Sequence, residues 1–300
     1  MSQHDLGIPV DAQRSYAVCV SNAPLDRDLT LYQVPEKPLF KYLSLAAGQK
    51  SLDRLRALVI DGKAFFSSPA DFNDPFDTFP IIEGPKSRVK AELSVRRAFR
   101  RADRLLPPEQ RAYAKAASKR PLTRGSLATF QTGMADSARR TAIETGVFCL
   151  SERNDSVLMW GHYADSHQGV CIEFDINAVG LTPSALTPLH LLFKVKYQSE
   201  RPVIRHLFGP GAGEEVMDAF RTKAAFWEYE QEWRAIEMHG ARQLFDFRPS
   251  MVRSIILGAN CSPSHTNAIR EMVGGTSIKL TRVVPSAEDF GLSIVSEPTA

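Results

Sequence analysis

The chain has 300 residues, 43% hydrophobic and 24% charged, enough apolar content to bury the core of one large or two small domains without disulfide staples. Its net charge is +3, yet fifteen Lys and Arg stand against four acids (Glu92, Asp103, Glu109 and Asp136) between residues 86 and 140, so the rest of the chain is net acidic. No run of about 18 apolar residues exists, which excludes a membrane-spanning helix, and no basic start followed by an apolar run marks a secretory leader.

Residues 1–36 are polar and dotted with proline, which reads as a loosely structured lead-in. Leu39–Tyr42 (LFKY) reads as a short strand. Ser51–Ile60 places apolar residues at 52, 55, 58 and 59, a helical spacing, with Ser51 as the expected N-cap and Asp61-Gly62 as the close. Lys63–Ser67 is a second strand. Residues 69–80 (PADFNDPFDTFP) are rich in the Asn, Asp and Pro that favour turns. Residues 86–145 predict two or three helices, broken at Pro107-Pro108 and Pro121. Beyond them, Val147–Leu150, Gly169–Phe174, Leu191–Tyr197, Trp233–Met238, Val252–Leu257 and Ile278–Val284 read as strands. Ser156–Ala164, Glu214–Phe226 and a segment from Ser262-Pro263 to about Val273 read as helices, the Ser-then-Pro order being that of a helix start. The expected fold class is α+β, a central and mostly antiparallel sheet with flanking helices and a basic helical insertion at 86–145. One domain over 37–290 is expected, with a tail at 291–300.

The cysteines, Cys19, Cys149, Cys171 and Cys261, form no CxxC pair, so no zinc knuckle is expected. Those in apolar runs behave as small hydrophobes, and a reduced, cytoplasmic protein is the simplest expectation.

Two stretches concentrate rare residues. Phe148–Asp175 and Trp227–Arg234 (WEYEQEWR) together hold all three tryptophans. Read as a strand, the second places Glu228, Glu230 and Glu232 on one face and Trp227, Tyr229, Gln231 and Trp233 on the other, a carboxylate face backed by an aromatic core wall. The plain alternative is a solvated acidic edge paired with Lys223 or Arg234. In the first stretch, His162 and His167 are not the i, i+4 pair of a helical zinc site. A turn after Asp165 that brought His167 back to His162 would instead assemble a metal site, and His162, Asp165, His167 and Glu173 would then serve a metal-assisted hydrolase acting on nucleic acid. The plain reading packs His162 and Tyr163 under Trp160.

Asn73-Asp74-Pro75 reads as a structural turn, or as a pocket mouth where Asn73, Asp74, Ser67 and Ser68 touch a ligand. Ser151 lacks the G-x-S-x-G elbow of a serine nucleophile, and Cys149 reads as core. Neither a P-loop nor a G-x-G-x-x-G after a strand is present, which disfavours kinase and Rossmann chemistry. Arg96, Arg97, Arg100, Arg101 and Arg104 put several guanidinium groups on one helical face, a stripe suited to the phosphates of a nucleic acid or to an acidic protein or lipid. Few aromatics interleave there, so stacking on single-stranded bases is not expected from that segment.

FSSPADFNDPFD at 66–77, CLSE at 149–152, MWGHYADSHQGVCIEFD at 159–175 and K-x3-W-x2-E-x-E-W-R at 223–234 resemble the bacterial family of unknown function DUF2971. LFKY at 39–42 and IILG at 255–258 fit it too, so the resemblance spans residues 38–260, with the basic segment as this member's own elaboration. That family implies no activity. The motif order is also similar to that of ADP-ribosyltransferases, which carry an early strand with His or Arg, a middle strand with Ser or Tyr, and a late Glu-x-Glu. Here Lys41-Tyr42, Ser151 or Tyr163, and Glu230/Glu232 follow in that order, with Lys41 where Arg or His is usual. The likeness implies an enzyme that takes NAD, without a metal, and modifies a nucleic acid or protein, as in defence or toxin systems. It implies that Glu230 or Glu232 stabilises the charge that develops as a glycosidic bond breaks. It further implies that Tyr42 and Tyr163 stack on nicotinamide, and that Lys41 and Ser151 hold ribose or phosphate. His162 adds an acid–base or ligand contact. A non-catalytic binding module, its motifs serving only as core, is the remaining expectation.

Overall fold

An eight-stranded sheet organises the computed structural model, which describes residues 35–102, 124–176, 192–205 and 212–297. In spatial order its strands are β14 (Leu292–Ser296), β13 (Lys279–Pro285), β12 (Val252–Leu257), β5 (Val170–Phe174), β1 (Leu39–Leu43), β4 (Gly146–Ser151), β10 (Glu232–Glu237) and β6 (Leu192–Lys194). Neighbours run antiparallel except β12 and β13, which are parallel and joined through a helix, as a parallel pair requires. Three small ladders lie beside it: β2 (Lys63–Phe66) with β11 (Gln243–Asp246), β3 (Ile81–Ile82) with β8 (Val203–Ile204), and β7 (Lys196–Gln198) with β9 (Thr222–Ala224). The helices are α1 (Gln49–Val59), α2 (Arg88–Ala102), α3 (Arg124–Glu144), α4 (Val157–Tyr163), α5 (Ala212–Phe220) and α6 (Pro263–Val273). The α+β class expected from the sequence is the fold observed.

Register sorts the side chains between two faces. Phe40 lies opposite both Ser151 and Glu173, and Ser151 lies opposite Glu232, so these four share a face. The other face carries Leu39, Phe148, Leu150, Ile172, Phe174, Trp233 and Ile255, which pack against Leu55, Leu58 and Val59 of α1 and Ile269 of α6. On the first face, Phe40, Tyr42, Cys171 and Ile256 pack under Met159 and Trp160 of α4. Further along it, β4 and β10 present Cys149, Ser151, Glu232 and Arg234.

Ser156 and Ser262 cap α4 and α6, accepting from the backbone N–H groups of Met159 and His265. Ser51 does not cap α1. The helix begins at Gln49, after Gly48 turns the chain at a φ of 56°, and Ser51 is buried inside it, accepting from the Ala47 N–H. The helix expected over Glu214–Phe226 stops at Phe220, because residues 222–224 are recruited into the ladder with β7 and residues 225–230 form a 3-10 turn. The strand expected over Leu191–Tyr197 divides: β6 joins the large sheet, whereas β7 pairs with β9. The expected tail contains β14, so the sheet extends into it. The basic insertion holds α2 and α3, while Pro107, Pro108, Pro121 and the lead-in up to residue 34 lie outside the described residues.

Gly258 follows β12 and donates to the Gly169 carbonyl, and a methyl group on it would overlap the His167 backbone carbonyl. Gly258→Ala therefore lowers stability by about 1–3 kcal/mol. Gly161→Ala, in α4 with open space around the position, raises it by about 0.5–1 kcal/mol. Urea unfolding of the two variants measures the contrast.

Candidate functional site

Arg234 on β10 has no exposed surface. All five of its N–H groups donate. Nε and Nη2 reach the two oxygens of Glu232 at 2.8 and 2.9 Å, Nη1 and Nη2 those of Asp77 at 2.8 and 2.6 Å, and Nη1 also the Phe220 carbonyl at 2.8 Å. Forked contacts to two carboxylates are the strong form of an arginine ion pair. Lys223 from β9 enters the same group, its Nζ lying 2.5 Å from Glu230, 3.2 Å from Glu232 and 3.6 Å from Asp77. Three carboxyl groups thus share two cations, and all five residues are buried.

The backbone builds this convergence from three segments. Asp77 arrives on the loop that follows the 3-10 turn Pro69–Asp71. Lys223 comes from β9. The second 3-10 turn, Ala225–Glu230, ends at Gln231 with a φ of 43° and a hydrogen bond from its N–H to the Glu228 carbonyl. This turn corrects the expected strand of three aligned glutamates. It aims Glu230 and Glu232, on either side of the left-handed residue, at Lys223, and it leaves Glu228 exposed. Ser151 holds the turn by donating to the Glu230 carbonyl at 2.5 Å, and the Tyr197 hydroxyl accepts from the Glu232 N–H at 2.8 Å.

Tyr163, the last residue of α4, connects the cluster to the surface. Its hydroxyl donates to Glu230 Oε1 at 2.6 Å and accepts from Asn73 Nδ2 at 3.3 Å. His162, Tyr163, Trp227 and Tyr229 form an aromatic group around it, with neighbouring ring centroids 5.9 to 6.4 Å apart. Trp227 is half-buried rather than part of the core wall. Its Nε1 is buried and, among the described residues, has no acceptor. Asp74 Oδ2 and Thr78 Oγ1, on the loop that carries Asp77, are likewise without partners.

The two site glutamates are driven apart in acidity. Burial pushes both carboxyls up, but for Glu232 the charges of Arg234 and Lys223 outweigh it and hold the group well below the usual carboxylate range. For Glu230, burial together with the negative charge of Glu232 prevails over Lys223, and the carboxyl is raised. Burial would lower Lys223, yet Glu232 and Asp77 keep it protonated far above neutrality. Burial also raises the Tyr163 hydroxyl, so it stays protonated and donates.

Register separates other expected site residues from this cluster. Lys41 follows Phe40 and so points to the opposite face from Glu232. Its Nζ donates to the Cys149 carbonyl at 2.9 Å above the Phe148 ring, and burial lowers its pKa. A cleft combining Lys41 with Tyr163 and Glu230 is therefore not formed. Tyr42 is buried edge-on against Trp160 and donates to the Arg153 carbonyl. The Ser67 backbone bridges to Val147, and Ser68 donates to the Ile143 carbonyl. Asp74 is buried and accepts from the Phe76 N–H, while Asn73 is exposed.

The expected metal ligands also part company. Asp165, Ser166 and His167 form a left-handed turn with φ of 50°, 51° and 68°, and the His167 ring stacks on Trp160 while His162 joins the aromatic group. Glu173 accepts from the Ser254 hydroxyl. Among the described residues no group of three His, Cys, Asp or Glu is placed to hold a metal ion. Arg96 is exposed on α2, Arg97, Arg100 and Arg101 lie on the same helix, and Arg104 lies outside the described residues.

The family described as "Protein of unknown function (DUF2971)" matches residues 159–235. The match runs from α4 to β10 and includes Tyr163, Lys223, Glu230, Glu232 and Arg234; Asn73 and Asp77 lie outside it. The resemblance read from the motifs holds over that stretch. No curated protein and no solved structure matches the chain.

The charge count gives a stability test. Asp77→Asn or Glu232→Gln leaves Arg234 short of a buried partner and costs about 3–5 kcal/mol. Glu230→Gln removes the surplus carboxyl, leaves two carboxylates for two cations, and costs less than about 1 kcal/mol. Because the folded Glu232 carboxyl titrates below its ordinary value of 4.5, its contribution is complete above that pH and is lost as the pH falls further. Denaturant unfolding from neutral to acidic pH checks both statements.

Proposed function

We propose that the chain is an enzyme of the ADP-ribosyltransferase type, taking NAD as donor and modifying a nucleic acid or protein. The observation that carries this reading is the hydrogen bond from Tyr163 to Glu230, which links a part-buried hydroxyl to a carboxyl of raised pKa beside the half-buried rings of Trp227 and Tyr229 and the exposed ring of His162. Residues suited to such a donor are present. The rings of Trp227, Tyr229 and His162 offer stacking faces for a flat cationic ring. A bound NAD would supply a ribosyl group with a good leaving group. The chain's part is to accept the proton of the attacking hydroxyl or amine. Tyr163 Oη takes that proton as its own passes to Glu230 Oε1, a relay whose end point is a carboxylate with affinity for protons nearer neutrality than usual. Before that proton arrives, the Glu230 carboxylate also favours positive charge on the ribose carbon. Glu232 is consumed by Arg234 and Lys223 and acts as a positioning residue.

Incubation with labelled NAD and cell extract tests this. The wild type releases nicotinamide and transfers label. Glu230→Gln lowers the rate by about 100-fold or more, Tyr163→Phe lowers it with the fold intact, and Lys41→Met, on the far face, lowers it little. No release by the wild type, or a rate indifferent to Glu230, contradicts the proposal.

A further inference from the structure

A second surface borders the site and joins segments far apart in sequence. The loop beyond Asn73 exposes Phe76 to 56% and half-buries Phe79. Arg201 stands 5.3 Å from the Phe76 ring centre and donates through Nη2 to the Phe79 carbonyl at 2.6 Å. Arg139 of α3 stands 5.3 Å from the Phe79 ring centre. Both arginines are exposed. Among the described residues their partners are rings and a carbonyl rather than carboxylates, so their charge is available to a ligand. The same loop is fixed to the site at both ends, by Asn73 on Tyr163 and by Asp77 on Arg234. The exposed acids nearest the two arginines along the chain are Asp136 and Glu200, Arg140 adds an exposed cation beside Arg139, and the exposed Asp71 at the start of the loop is paired with Arg242.

We infer that this surface binds single-stranded nucleic acid, with phosphates on Arg139 and Arg201 and an unstacked base on Phe76, the strand running toward Tyr163. Cations set beside an exposed aromatic ring are the means by which such strands are held, since every base has a face to stack and every nucleotide a phosphate. A duplex hides its base faces, and an acidic polypeptide would use the charge but leave Phe76 unused. As the target of the transfer proposed above, the strand rests on that reading, whereas its binding does not.

Fluorescence anisotropy with short labelled DNA and RNA single strands, the same sequences as duplexes, and polyglutamate tests the inference on the full chain. Single strands bind tightest, with affinity falling steeply as salt rises. Arg139→Gln combined with Arg201→Gln weakens binding about tenfold or more and flattens the salt dependence. Phe76→Ala weakens it about tenfold without flattening it, and thermal unfolding of these surface variants is unchanged. Absence of binding, preference for duplex or polyglutamate, or indifference to all three substitutions overturns the inference. Glu230→Gln is titrated alongside. Strand binding by a chain that transfers no label refutes the transfer alone, and label transfer without strand binding refutes this inference alone.

Discussion

Arg234 is a permanent charge with no exposed surface, and the chain around it is arranged to meet that demand. An unpaired ion in the interior costs several kcal/mol even after relaxation. The demand is met by segments with little else in common: a loop supplying Asp77, the end of α5 supplying the Phe220 carbonyl, and the start of β10 supplying Glu232. Each must be in place for the others to be satisfied. The cluster therefore acts as a registry device, fixing the 73–79 loop and the 225–231 turn against the sheet.

From that constraint follows the asymmetry between the two glutamates. Two carboxylates suffice for two cations, and Glu230 is the third. It is also the one whose other oxygen meets Tyr163, and through Tyr163 the exposed Asn73 and the aromatic rings. A carboxyl that the cluster tolerates without requiring is free to change protonation during a reaction. Burial and the fixed charge of Glu232 move it toward the range in which it can do so. The fold's structural charges thus set the proton affinity of the one carboxyl they do not need.

Much of this fold was legible because its signals are local. Short apolar runs in 147–150 and 252–257, helical spacing in 51–60, and the serines that cap helices at 156 and 262 each depend on neighbours a few residues away. The pairing of Glu230 with Glu232 on one side was also legible, although by a mistaken route, since a left-handed Gln231 achieves for two residues what a strand would have achieved for three. Long-range events were not legible. Nothing within 214–226 announces that β7 will claim residues 222–224, and nothing in PFDTF marks Asp77 as the partner of an arginine 157 positions away. Lys41 misled for a similar reason: its sequence order fits a site, but register places it across the sheet.

The central claim is that Glu230, and not Glu232, is the titratable carboxyl of the site. Carbon-13 NMR titration of the glutamate side-chain carboxyls, assigned with Glu230→Gln and Glu232→Gln, measures this directly. The account predicts that Glu230 titrates above the ordinary value of 4.5 and that Glu232 stays ionised well below it. A Glu230 that titrates at or below that value, or a Glu232 that titrates above Glu230, would contradict the account.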